Sequence, residues 1–130
     1  MTAIAATATD TLLRFAMRLD ALCVGVSGVA LLAEAGWFSD LTGLPISVEY
    51  GVGVFSVLYG VVVFMLGAIE RVRPAGIATV VANAVCTVVA LVAVFTFDLT
   101  TAGVVAVIAT GVYTLVMAEL QYVGVRRIPA

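Results

Sequence analysis

Five polar side chains stand inside stretches that are otherwise apolar: Arg18, Asp20, Asn83, Glu119 and Gln121. In hydrocarbon each must find a partner, lose its charge or face water, so any chemistry in this chain has to be built from them. Two carboxylates and an arginine could form an ion pair or a site coupled to protons or ions. Two side-chain amides could hydrogen bond from helix to helix, and a lone Asn in such a position is more often glue than a ligand contact. Other reactive types are scarce. The chain has no histidine, which removes the usual general base, haem ligand and metal ligand together. Cys23 and Cys86 are far apart and lie in apolar segments without a C-x-x-C, so neither a dithiol centre nor a zinc knuckle is expected. We expect no metal, no cofactor, no catalytic residue and no enzymatic activity.

The elements that must position these groups follow from composition. The 130 residues are 64% hydrophobic and 11% charged, with a mean hydropathy of +1.25. A water-soluble domain is nearer half apolar and a quarter charged. The formal charge of −2 gives no reason to expect nucleic acid as a partner. Four apolar stretches, about residues 14–35, 48–69, 75–97 and 102–124, predict a single all-α domain over residues 1–130, a four-helix transmembrane bundle. The first is the awkward one. Its uncharged run, Ala21 to Ala33, gives only about 20 Å of helix at ~1.5 Å per residue, short of the ~30 Å of hydrocarbon. The stretch "AGWFSDLTGLP" beyond it is rich in turn formers, so the missing turns must come from Arg14 to Asp20. The links "RVRP" and "DLTT" are short and force antiparallel neighbours. The longer link, about 36–47, predicts a surface turn with Trp37 and Phe38 at the membrane interface.

All six arginines fall on one side of a four-pass layout: Arg14 and Arg18, Arg71 and Arg73, Arg126 and Arg127. Glu34, Asp40, Glu49 and Asp98 lie toward the other. The excess of positive charge on cytoplasmic loops then places both termini in the cytoplasm and the protein in a bacterial inner (plasma) membrane. A cleaved secretory signal ending near "AEA" at 33–35 is the competing reading. Asp20 abutting the apolar run argues against it, as does the loss of the arginine pattern that cleavage would cause.

Small residues at helical spacing mark contact faces between helices in lipid. In the second span these are Gly53, Ser56, Gly60 and Gly67; in the first, Ala21, Gly25 and Gly28. The third offers Thr79, Asn83, Cys86 and Ala90, and the fourth Gly111, Thr114, Ala118 and Gln121. The two halves also echo each other, with "FSDLT" at 38–42 after the first span and "FDLT" at 97–100 after the third. A duplicated helical hairpin would produce that pattern.

Arg14 and Arg18 are four apart and share a helix face, with Asp10 one turn earlier in position to pair. Asp20 points nearly opposite, toward the second span or the headgroups. Glu119 lies about 10 Å inside Arg126 on the fourth span, at ~1.5 Å per residue. Its lean toward the bilayer centre and the negative end of the helix dipole both oppose an isolated charge there. Arg18 is the expected partner, which requires the first and fourth spans to be neighbours. Asn83 and Gln121 are expected to add hydrogen bonds to the same intramembrane network.

"RLDA" at 18–21, "SDLTGLP" at 39–45, "LYG" at 58–60, Asn83 and "LQ" at 120–121 together resemble a group of small four-span bacterial integral membrane proteins, common in actinobacteria, with no assigned activity. Glu119 departs from that pattern, which has a small or apolar residue before "LQ". The resemblance implies a four-helix membrane protein and no reaction. The expected function is that of a non-enzymatic membrane protein, a structural or accessory subunit acting through helix contacts. Its expected partners are the lipid bilayer and either further copies of the chain or a larger membrane complex. The alternative is a small oligomeric transporter coupled to protons or ions through Glu119, Asp20 and Asn83.

Overall fold

The computed structural model describes residues 2–130, with side chains from residue 9 onward. The described residues form five helices and no strand: α1 (Thr2–Ala33), α2 (Ala35–Thr42), α3 (Ile46–Leu66), α4 (Val72–Thr96) and α5 (Thr101–Arg126). Four contain spans long and apolar enough to cross a membrane: Thr9–Ala33, Ile46–Leu66, Val72–Thr96 and Thr101–Arg126. Large apolar side chains cover their outward faces, among them Phe15, Val29, Leu58, Val85, Phe95 and Val105. That surface suits hydrocarbon and not water, and the chain is a small multi-pass integral membrane protein.

The first span does recruit the charged segment, because α1 is unbroken through Arg14, Arg18 and Asp20. The boundaries of α3 and α4 shift by up to three residues from the sequence reading, with α4 taking up most of "RVRP", and two differences are larger. The first helix starts well before residue 14, and the link expected to be a surface turn folds as α2. Turn formers confined α2 to eight residues rather than preventing it. It stops at Gly43, whose φ of +82° is left-handed and whose N–H caps Ser39 O. Pro45 then forbids continuation. Trp37 is exposed on α2 and meets Phe38 edge-on at 5.0 Å between ring centroids, an arrangement suited to a headgroup region.

The helices pair as two hairpins. α1 lies along α3 and α4 along α5, while α1 and α5 are in contact and join the pairs. α3 and α4 are consecutive yet meet only slightly. The α1/α3 seam is made by small residues. A Cβ added at Gly60 would stand 2.7 Å from Gly25 Cα and 2.8 Å from Ala21 O, so the backbones approach too closely for any side chain there. Just under one turn along α1 from Gly25, Gly28 has Gly53 O and Ser56 Cβ at 2.8 Å from the same construction. Gly53, Ser56 and Gly60 are all buried against α1. Gly67 is also buried but lies just past the end of α3, against the Arg18 stem, and so contributes to the end of the seam only.

The middle of α1, early in the first span, plugs the other hairpin. Leu13 is wholly buried, with its backbone pressed on Gly124 and its side chain on Gly76. Met17, Val63, Val72 and Val125 complete that core. It gathers the middle of α1, the end of α3, the start of α4 and the end of α5 at one end of the bundle, and every arginine belongs to that end. At the opposite end "FSDLT" and "FDLT" meet directly: Thr100 N–H donates to Thr42 O at 3.0 Å, and Gly103 sits on the Thr42 backbone.

Candidate intramembrane polar site

Asp20 is fully buried at the junction of all four spans. It sits six residues past Arg14 on α1, about 9 Å deeper at ~1.5 Å per residue. The other spans supply its partners. On α3, the Tyr59 hydroxyl donates to Asp20 Oδ2 at 2.7 Å. On α4, Asn83 Nδ2 donates to the same oxygen at 2.9 Å. On α5, Gln121 Nε2 donates to Oδ2 at 3.0 Å, and two turns away the Tyr113 hydroxyl donates to Oδ1 at 2.7 Å. An aspartate normally reads as an exposed or salt-bridged residue; here neutral donors alone surround it. Among the described residues the one ion pair is Arg14–Asp10, at 2.9 Å.

The donors are themselves connected. Asn83 Nδ2 also lies within hydrogen-bond reach of Gln121 Oε1 at 3.0 Å, Tyr59 Oη at 3.2 Å and Thr79 O at 3.2 Å. An amide nitrogen carries only two hydrogens, so these contacts are shared and not simultaneous. The lone pairs on the carboxylate are unequally used. Three donors crowd Oδ2 and one reaches Oδ1, which leaves acceptor capacity on Oδ1. One turn above, Thr87 and Thr114 hydroxyls meet at 2.7 Å and continue the α4/α5 seam. Ala90 against Gly111 extends it further.

The structure therefore brings Asp20, Asn83 and Gln121 together and leaves Arg18 and Glu119 apart. The neighbour relation that their pairing needed is present, since α1 and α5 touch. The pairing fails on direction. Arg18 is exposed and turned onto α3, its Cζ 4.8 Å from the Phe64 ring centroid. Glu119 is exposed on α5, two positions from buried Gln121 and therefore on the other side of the helix. Asp20 does reach the second span, as its orientation opposite to Arg18 suggests, through Tyr59, and it faces the bundle centre, where the third and fourth spans meet it as well. Arg14 does more than pair with Asp10. Its guanidinium pairs with Asp10 and donates to Gly67 O at 2.9 Å, Ile69 O at 2.6 Å and Glu70 O at 3.0 Å. These are carbonyls at and beyond the C-terminus of α3, which the helix itself cannot satisfy.

Sequence reasoning quotes Tyr59 only within "LYG" and gives it no place in the network, and it does not single out Tyr113. The signal available was chemical: a carboxylate carried into the membrane without a cation needs several donors, and a tyrosine in a span must place its hydroxyl somewhere polar. Besides Asp20 and Asp10, Glu49 in the first turn of α3 is a buried carboxylate; it accepts from Thr42 Oγ1 at 2.9 Å and ties α2 to α3. Cys23 and Cys86 are free thiols, and no cluster among the described residues has the makings of a metal site. Compared with known family models, curated proteins and solved structures, the chain matches none.

Proposed function

We propose that this chain is a non-enzymatic protein of the bacterial inner membrane that acts through helix contacts, as a structural or accessory subunit. The supporting observation is the Asp20 junction, where one buried carboxylate takes donors from α3, α4 and α5. Polar groups that bridge every span fix which helices pack together and in what register. Asp20, Asn83 and Gln121 are enclosed by the bundle. Outward faces are left apolar and well suited to lipid or to the helices of a partner. Both termini would lie in the cytoplasm, with the arginine end inside. Purification in a gentle detergent with mass spectrometry of what accompanies the chain tests the reading. A reproducible set of membrane proteins should copurify; a chain that always emerges alone would contradict the subunit role.

One observation favours a second reading, a small oligomeric transporter coupled to protons or ions. Among the described residues Asp20 has no cationic partner, and its Oδ1 retains acceptor capacity that a proton or a small cation could use. The geometry supports Asp20 and Asn83 in such a role and leaves Glu119 outside it. Flux in proteoliposomes under a pH gradient separates the readings. Transport abolished by Asp20→Asn and kept by Glu119→Gln would favour the transporter, and absence of gradient-driven flux would favour the subunit.

A further inference from the structure

An apolar groove of about 420 Å³ follows the outer side of the α1/α3 seam. Gly25 and Gly60 form its floor, because the close backbone contact leaves no side chains there. Leu22, Val26 and Val61 form exposed walls, and Phe64 closes the arginine end. Arg18 lies one turn before Leu22 and stacks on that Phe64 ring. Stacking holds the guanidinium by its face and leaves its N–H edge free. No carboxylate among the described residues pairs with it.

The dimensions select an occupant. The groove lining runs from Ala21 to Val29, about 12 Å at ~1.5 Å per residue; with Arg18 one turn before it the line reaches about 16 Å, close to half of the ~30 Å hydrocarbon core. Spread over about 12 Å of lining, 420 Å³ gives a mean cross-section of roughly 35 Å², too narrow to enclose a helix of ~10 Å diameter. A single hydrocarbon chain fits such a space. We propose that the groove holds one acyl chain of an anionic phospholipid, with the lipid phosphate on Arg18. Charge complementarity at the end and the length of one leaflet together distinguish this from a nonselective lipid contact or a second copy of the chain.

The test uses the full chain in mild detergent, with dipalmitoyl phosphatidylglycerol and dipalmitoyl phosphatidylcholine as probes. Native mass spectrometry should show the anionic lipid retained about fivefold over the zwitterionic one, the effect of roughly one favourable basic contact. Arg18→Gln should bring that ratio to about one without changing the lipid-free melting temperature, and Arg18→Lys should preserve the preference. Val26→Trp, on an exposed wall and away from the seam, should reduce retention of both lipids. Equal retention of the two lipids by the native chain, or a preference that survives Arg18→Gln, would overturn the proposal. So would efficient cross-linking of Val61→Cys between two chains in the presence of lipid, because a second copy would then cover the groove.

Discussion

Replacing Asp20 with alanine removes the acceptor on which four donors converge and leaves the donors in place. Tyr59, Asn83, Tyr113 and Gln121 would each lose a bond of 2.7–3.0 Å. Interhelical hydrogen bonds in membranes average about 0.6 kcal/mol and reach about 1.7 kcal/mol. Four such losses amount to roughly 2–7 kcal/mol. The lower half of that range is the better expectation, because Asn83 and Gln121 keep their own bond of 3.0 Å. A loss of about 3 kcal/mol corresponds to roughly 10 °C in melting temperature for a chain of this size. Asp20→Asn is the informative companion. Its remaining oxygen can still serve Tyr59, Asn83 and Gln121, and its new N–H₂ can donate to the Tyr113 hydroxyl, which accepts as well as donates. The asparagine variant should therefore melt between the native and alanine proteins. Circular dichroism during heating in mild detergent reads both. An alanine variant within about 0.5 kcal/mol of native, the range of an ordinary surface substitution, would refute the reasoning.

Gly60→Ala should destabilise by about 1–3 kcal/mol, since the added Cβ meets Gly25 Cα at 2.7 Å; thermal unfolding with unchanged stability would mean that α1 and α3 do not cross there. Arg14→Gln removes the Asp10 pair and the guanidinium cap on three α3 carbonyls. It should cost about 1–3 kcal/mol and raise hydrogen exchange at residues 67–71 before it does so elsewhere. For the Arg18 and Glu119 charge swap, Arg18→Glu with Glu119→Arg should show no coupling beyond about 0.5 kcal/mol relative to the two single variants. A clear rescue by the double variant would restore the ion pair between α1 and α5.

Much of the architecture was legible from hydropathy and from the spacing of small residues. The four spans stand out by length, and Gly25, Gly28, Gly53, Ser56 and Gly60 mark the α1/α3 contact. The Asp10–Arg14 pair followed from i,i+4 spacing. The central site was harder because membership depends on rotation about each helix axis. Arg18 and Asp20 differ by about 200° on α1, so one must face in and the other out. Sequence depth alone favoured pairing the arginine with Glu119. The structure turns the aspartate inward, where hydroxyl and amide donors from three other helices replace a counter-ion. That solution rests on residues distributed over residues 59–121 and has no local pattern. The α2 helix was obscured for a different reason: Gly36, Ser39, Gly43 and Pro45 read as turn residues, yet only Gly43 and Pro45 act as a stop.

The central claim is that the Asp20 carboxylate touches side chains of the other spans inside the bilayer. It is tested most directly by solid-state NMR of the chain in lipid, with the Asp20 carboxyl carbon and the Asn83 side-chain nitrogen selectively labelled. Asn83→Ala serves as the control. The geometry, with Asn83 Nδ2 at 2.9 Å from Asp20 Oδ2, requires strong dipolar dephasing between the two labels. Absence of dephasing in the native chain would separate α1 from α4 at this level and contradict the account.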